Sequence, residues 1–461
     1  MTDDARASMV VVLRTDVPTR AQQWAFEAKA SVFRWRRTLR DLLSAPRRQS
    51  RDEALWSAPV LAQFRSPLWP LDETALHLVA GKIQNLRVAA VILDGIEVPA
   101  GQTLSFWKQV GRARRRRGFV IGRELREGCL VPAIGGGLCQ LSSALYDTAV
   151  RAGLEVVERH RHSRVVPGSL AESDRDATVF WNYLDLRLRA SWPWRLEVRM
   201  DAHELHVAIR GIAPDGPIAV PLAPALRKTP PSGDCSNCDQ TECYRHEGDL
   251  PFAVRRTWLI HDDWPEFRTY RDAEMRAGDR TLELGKRAGM RDRFSLFRAK
   301  ALRRWWLWRG RPLPQARQGA QQLLARMVAG RLRFDDMHLV VPQSLLPDLW
   351  LAGDLNGRSF DVLMNALPMQ EIQRRLDAAF ARHPESSTLS DFRADRRLVQ
   401  AEREALEQAR LWITPHAEIL RLAGVRGLAL PWRLPQPQAT PARTSGMTRV
   451  LLPASGLARK G

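Results

Sequence analysis

Cys139 stands between three glycines and a helix-like run in IGGGLCQLSSALYDTAVRAGL, residues 134–154. The thiolate is the reactive form of cysteine, and a helix N-terminus lowers its pKa because free N–H groups and the macrodipole favour negative charge. Gly135, Gly136 and Gly137 allow unusual backbone angles and close approach of a substrate. Gln140 is placed to offer a backbone N–H to an oxyanion. Leu138, Leu141, Leu145 and Ala149 repeat at helical spacing as a buried stripe, and Cys139, Ser142, Ser143 and Tyr146 fall on a more polar face. About twenty residues on, VVERHRHSRVV supplies Arg159, His160 and His162, and SDRDATVFW supplies Asp174 and Asp176. In a strand, His160 and His162 share one face. Cys139, His162 and Asp176 then read as nucleophile, base and orienting carboxylate, with His160 a second candidate base and Ser142 and Arg159 candidate substrate contacts. The competing reading is a small buried cysteine whose glycines only shape a pocket, in a protein that binds rather than catalyses.

A second cluster, DCSNCDQTECYRHE, gives Cys235, Cys238, Cys243 and His246 at C-x2-C-x4-C-x2-H spacing. Three thiolates and an imidazole this close in sequence suit a tetrahedral zinc site, and three cysteines suit an iron–sulfur cluster. The alternative is a cysteine-rich loop at a domain joint.

These residues need elements to position them, and 461 residues leave room for two to three domains. Residues 1–75 read as a basic helical region, with Val32, Trp35, Leu39, Leu42 and Leu43 as an apolar stripe among arginines. That stripe fits either a neighbouring domain or a membrane surface. Residues 76–212 read as α+β, with strands over ATVFWNYLDLRLRA, RLEVRMDA and ELHVAIRG, the last two as a hairpin. Residues 213–250 are a Pro-rich linker carrying the Cys/His cluster. Residues 251–433 alternate short apolar runs with loops and helices, the pattern of an α/β Rossmann-like domain with a parallel sheet. There, RFSLFRAKALRRWWLWRGR puts Phe294, Phe297, Ala301, Trp305 and Trp308 on one stripe beside arginines, and ITPH aims His416 at a cleft. Residues 434–461 read as a linker and the first strand of a truncated domain, which a partner chain would complete.

The formal charge is +20. Arginine-rich surfaces attract anionic sugars, nucleotides or membranes. No finger of the DNA-reading type and no RNP-like motif appears, so nucleic acid is not expected. Five cysteines and an acidic start without a long apolar run favour a reducing, cytoplasmic setting, peripheral to a membrane. No run of 18 apolar residues predicts a transmembrane helix.

Residues 82–210 resemble the VanW family. The resemblance is carried by VPAGQTLSFWKQVGRARRRRGFVIG, IGGGLCQLSSALYDTAVRAGLEVVERHRHS and RDATVFWNYLDLRLRA. It implies a role in the bacterial cell wall and glycopeptide resistance, with a cell-wall precursor or another envelope glycan as partner. In some multidomain relatives it implies L,D-transpeptidation with the motif cysteine, here Cys139, as nucleophile. The family's ERHxHS stretch falls on Glu158, Arg159, His160, His162 and Ser163. A cysteine helix followed by histidine and aspartate is also similar to the papain and transglutaminase-like fold. The second half resembles the acceptor-side domain of a GT-B glycosyltransferase in LVVPQSLLPDLWLAGDLNGRSFDVLMNALPM and in RVLLPASGLARKG, where Lys460 and Gly461 would open the donor domain.

Overall fold

The computed structural model describes residues 19–433 apart from 44–45, 70–75, 127–128, 163–169, 214–254, 262–263, 284–289, 311–312, 387–388 and 390–392. The Cys/His cluster at Cys235, Cys238, Cys243 and His246, both Pro-rich segments and the chain end lie outside the described residues. The chain divides into two units, Met1–Ala253 and Val254–Gly461.

The first unit begins with α1 (Arg20–Leu43), followed by β1 (Val60–Pro67), α2 (Leu76–Leu93), β2 (Ile96–Val98), β3 (Thr103–Ser105) and α3 (Phe106–Val110). Then come β4 (Ile121–Arg126), β5 (Cys129–Ile134), α4 (Leu138–Arg151), β6 (Glu155–Glu158), β7 (Arg187–Arg189), β8 (Trp194–Met200) and β9 (Glu204–Gly211). An antiparallel sheet of order β1-β9-β8-β2, a small sheet β3-β7-β6 and the hairpin β4-β5 make up its strands. The predicted β8–β9 hairpin is present.

Helix α2 has the length and apolarity to cross a membrane, but 61% of it is buried inside the protein. Val79, Ile83, Leu86, Ala89, Ala90 and Leu93 are fully buried, so the hydrophobic effect is spent on the core. Gly81 lets the backbone of Ile121 in β4 approach this helix: a Cβ there would sit 1.8 Å from the Ile121 carbonyl oxygen.

Two expectations are corrected. The helical region ends at Leu43, and β1 joins the sheet by antiparallel pairing with β9. Its period-two pattern, with Ala62, Phe64 and Ser66 inward and Gln63 and Arg65 outward, explains the strand. The ATVFWNYLDLRLRA run is a strand only at Arg187–Arg189. A turn at 180–184 interrupts it, with Asn182 at φ 50.

That turn receives α1. Phe33 stacks on Tyr183 at 5.0 Å, and Asn182 Nδ2 donates to the Arg34 carbonyl at 3.0 Å. Arg37 grips Glu158 through two bonds of 2.7 and 2.6 Å and lies 3.4 Å from the buried Asp185. A bidentate guanidinium–carboxylate pair is among the stronger ion-pair geometries.

The second unit comprises β10 (Arg255–Ile260), α5 (Pro265–Glu274), β11 (Arg280–Glu283), α6 (Met290–Trp308), α7 (Leu313–Ala329), β12 (Asp336–Pro342) and α8 (Leu346–Leu351). It continues with β13 (Ser359–Leu363), α9 (Met369–Arg382), α10 (Arg396–Gln408), β14 (Trp412–Thr414), α11 (Ala417–Ala423) and β15 (Gly427–Ala429). All six strands pair in parallel in the order β11-β10-β12-β13-β14-β15. Apolar runs such as HLVV are buried in such a sheet. Asp336 has no exposed surface and receives Thr257 Oγ1 at 2.6 Å and Arg280 at 2.7 Å, which joins β10, β11 and β12. Trp306 of α6 packs over Gly319 of α7, while Phe297, Trp305 and Trp308 on the same helix are exposed. His416 sits edge-on to Trp432 and Trp264, at 4.8 and 5.8 Å.

Candidate active site

The tight turn from β5 into α4 fixes the position of Cys139. Gly135 (φ 84) and Gly137 (φ 101) hold left-handed backbone, and Gly137 caps the helix. Added Cβ atoms would meet protein and not open space. At Gly135 the nearest atom is Ala113 Cβ at 2.6 Å, at Gly136 it is the Gly122 carbonyl oxygen at 2.4 Å, and at Gly137 it is Lys82 Cγ at 2.2 Å. The glycines expected to admit a substrate therefore serve close packing of the loop against α2, β4 and the 111–120 segment.

Asn85 locks this loop and carries no signature in the sequence. It is fully buried, and its Nδ2 donates to the Gly136 carbonyl at 2.9 Å and the Val120 carbonyl at 3.0 Å. Its Oδ1 accepts from the Val120 N–H at 2.9 Å. Asn85→Leu leaves these groups unpaired in the interior, with an expected loss of about 3 kcal/mol. Urea unfolding of the variant checks this, and Cys139 alkylation in folded protein should lose its low-pH reactivity along with the loop geometry.

Lys82, next to the loop, donates from Nζ to the Leu68 carbonyl at 2.6 Å. Burial, reinforced by Arg123, pulls its pKa down to about 7.

The Cys139 residue is partly exposed. Its Sγ lies 3.6 Å from Thr178 Oγ1 and 3.7 Å from the Val179 carbonyl oxygen. Burial pushes the thiol up, but a hydrogen bond and charge from His162, with contacts to the Val179 backbone and Thr178, bring it below the ordinary value. The His162 Nδ1 is 2.5 Å from Asp176 Oδ2, and the same oxygen accepts the His162 N–H at 2.7 Å. Burial opposes charge on His162. The bonds to Asp176 and Cys139 outweigh it and lift the imidazole to about 10. Asp176 titrates low: its bonds to His162 overcome its burial, with a further contribution from the Arg159 charge. The three residues proposed from sequence thus lie together, with Asp176 bonded to His162 and His162 favouring the charged form of Cys139.

The other candidates take different places. Strand β6 ends at Glu158, so His160 and His162 do not share a strand face. His160 Nε2 pairs with Glu158 Oε1 at 2.9 Å and is not the base facing Cys139. Arg159 is a strut. It donates to the Asp176 carbonyl at 2.7 Å and carboxylate at 2.9 Å and to the Asp174 carboxylate at 2.7 Å, with its guanidinium 4.8 Å from the Tyr146 ring. Asp174 is held at φ 55, a conformation that costs a non-glycine residue about 1 kcal/mol. Ser142 is fully buried and donates to the Ala177 carbonyl at 2.6 Å, which ties α4 to the Asp176 segment and leaves no face for substrate. The Gln140 N–H expected at an oxyanion already donates to the Gly137 carbonyl at 3.0 Å, because the helix opens with a tight turn. Its side chain clasps Ser66 Oγ and the Pro67 carbonyl at 2.8 and 2.7 Å.

One further group of metal-type ligands is present among the described residues. Asp201, Glu204 and His206 hold their ligand atoms within 4.8 Å of one another. Asp201 accepts the His203 and Glu204 N–H groups and the His206 ring, each at 2.7 Å, so the bonding of the β8–β9 turn accounts for the cluster.

The family model described as VanW like protein matches residues 81–210. The uncharacterized protein YoaR of Bacillus subtilis (strain 168) is 35% identical over 115 residues, covering 25% of this chain and 37% of its own length. The vancomycin B-type resistance protein VanW of Enterococcus faecalis (strain ATCC 700802 / V583) is 33% identical over 113 residues, 23% of this chain and 40% of its own. The chain thus spans less than half the length of either relative. No solved structure matches. Nothing in these comparisons supports a glycosyltransferase-like second half. They do place Cys139, His162 and Asp176 within one matched stretch: residues 81–210 form a VanW-like domain.

Proposed function

We propose that the first unit is a cysteine acyl transferase acting on the peptide part of a cell-envelope glycan precursor. The observation that carries this reading is His162 bonded to Asp176 at 2.5 Å, from where its hydrogen bonding and charge bring the Cys139 thiol below its ordinary value. The thiolate attacks an acyl carbon, forming a C–S bond. The C–N bond to the leaving amine breaks as the imidazolium gives that amine its proton. An acceptor amine then attacks the thioester, the neutral imidazole takes its proton, and the Cys139 thiolate returns. With water in place of the acceptor amine the same steps amount to hydrolysis. Amide-to-amide exchange, as in L,D-transpeptidation, needs no oxidant or energy donor.

Trapping tests the reading. A synthetic stem tetrapeptide is incubated with the protein, and Cys139 is examined by peptide mass spectrometry. An acyl adduct on Cys139 and amide exchange onto an added amine are expected, with exchange lost by about 10⁴-fold in Cys139→Ala. Unchanged peptide binding in Cys139→Ala, with neither adduct nor exchange in the wild type, would favour the binding-module alternative. Residues 251–433 are assigned no step. The glycosyltransferase reading of that half rests on the sequence resemblance and the parallel sheet. The zinc or iron–sulfur reading of Cys235, Cys238, Cys243 and His246 likewise enters no step.

A further inference from the structure

Helix α1 is amphipathic twice over. One side docks on the first unit through Phe33, Arg37 and the fully enclosed Ala30. On the other side Trp24, Val32, Trp35 and Leu39 are 79%, 64%, 67% and 43% exposed. At 100° per residue these four fall within about 80° of arc. Large exposed aromatics in a contiguous stripe are unusual for a surface that meets only water.

The charges decide what the stripe meets. The helix has two acidic residues, and both are occupied: Glu27 pairs with Arg34 and Asp41 with Arg187. Arg20, Lys29 and Arg36 flank the stripe, and none has an acidic partner among the described residues. The face presented outward is therefore tryptophan and aliphatic along its centre, with Lys29 and Arg36 along one margin and Arg20 at the N-terminal end of the other. A protein partner could match the apolar centre. These three cations beside the stripe, with both acids of the helix already paired, match a plane of negative charge above an apolar layer. We infer that α1 lies on the surface of a bilayer containing anionic phospholipid, with Trp24, Val32, Trp35 and Leu39 in the headgroup–acyl boundary. Arg37 ties this helix to Glu158, four residues from His162, so docking would hold the Cys139 site close to the membrane surface.

The inference is independent of the chemistry at Cys139 and is tested without it. The full chain is floated with vesicles of phosphatidylcholine alone or with about one third phosphatidylglycerol. Binding to the anionic vesicles is expected, weakened by high salt. It should fall at least about tenfold in Trp24→Ser/Trp35→Ser and several-fold in Arg36→Glu. Wild-type Cys139 alkylation in both variants shows that the unit is folded. Three results overturn the inference: no vesicle binding by the wild type, equal binding to neutral vesicles, or undiminished binding by the double variant. The last would move the contact elsewhere, with the exposed Phe297, Trp305 and Trp308 of α6 as the first alternative. Concentration-dependent dimerisation abolished by the same double variant, without vesicle binding, would assign the face to a second copy of the chain.

Discussion

His162→Gln shifts the pH dependence of Cys139 alkylation up into the range of an ordinary thiol. Glutamine keeps a hydrogen-bonding group but cannot carry the charge that, with its bond, overcomes burial at Cys139. Each unit of upward shift lowers the thiolate fraction about tenfold at acidic pH. The more basic thiolate is about threefold more nucleophilic per unit, so iodoacetamide labelling at pH 6 falls about threefold for every unit gained. Peptide mass spectrometry across pH 5–10 reads the shift directly. An unchanged profile would mean that no ion pair forms. Stability moves with it. The folded pKa of His162 is raised above 6.5, so its contribution is whole below that pH and is lost as pH rises through about 10. The stability gap between wild type and His162→Gln therefore narrows between pH 7 and 10, as urea midpoints would record.

Gly136→Ala collapses the site from below. Its backbone needs no special φ, so the effect is steric. The new methyl lies 2.4 Å from the Gly122 oxygen and 2.5 Å from the Gly122 carbonyl carbon, both main-chain atoms with no rotamer to escape into. The reverse change, Gly122→Ala, meets the Gly136 oxygen at 2.6 Å. Overpacking between two backbones costs about 3 kcal/mol or more, which lowers the melting temperature of a unit this size by about 10 °C. Gly101→Ala is the contrast. No atom lies within 4 Å of its Cβ, and its φ of 72 leaves only the left-handed penalty of about 1 kcal/mol. A smaller loss at Gly136 than at Gly101 would mean that the loop yields, and the packing account of the three glycines would fail.

What could be read from the residues alone follows the range of each interaction. The Cys139 helix was legible because its stripe and glycines are local. The pairing of His162 with Asp176 was legible because a nucleophile at Cys139 would need a base and the base a carboxylate. Their neighbours were not. Arg159 reads as a cation for a substrate until its bonds to Asp174 and Asp176 are seen, and His160 reads as a base until Glu158 is found holding it. Asn85 lies 51 residues from the loop it locks, and no spacing rule links them. In the second half, alternating apolar runs and helices pointed to a parallel sheet, but not to β10 lying between β11 and β12, since strand order is set by long-range packing.

The anchoring of α1 and β1 changes where this fold can be cut. The stretch that matches the family begins at Gly81, yet β1 is a full edge strand of the main sheet and Gln140 of the cysteine helix clasps its end. A gene trimmed to residues 81–210 would encode a sheet with a bare β9 edge. It would also remove Arg37 from Glu158 and Asp185, leaving both carboxylates to the guanidinium of Arg187. The transplantable cassette starts at Arg20, about sixty residues before sequence similarity alone would place its border.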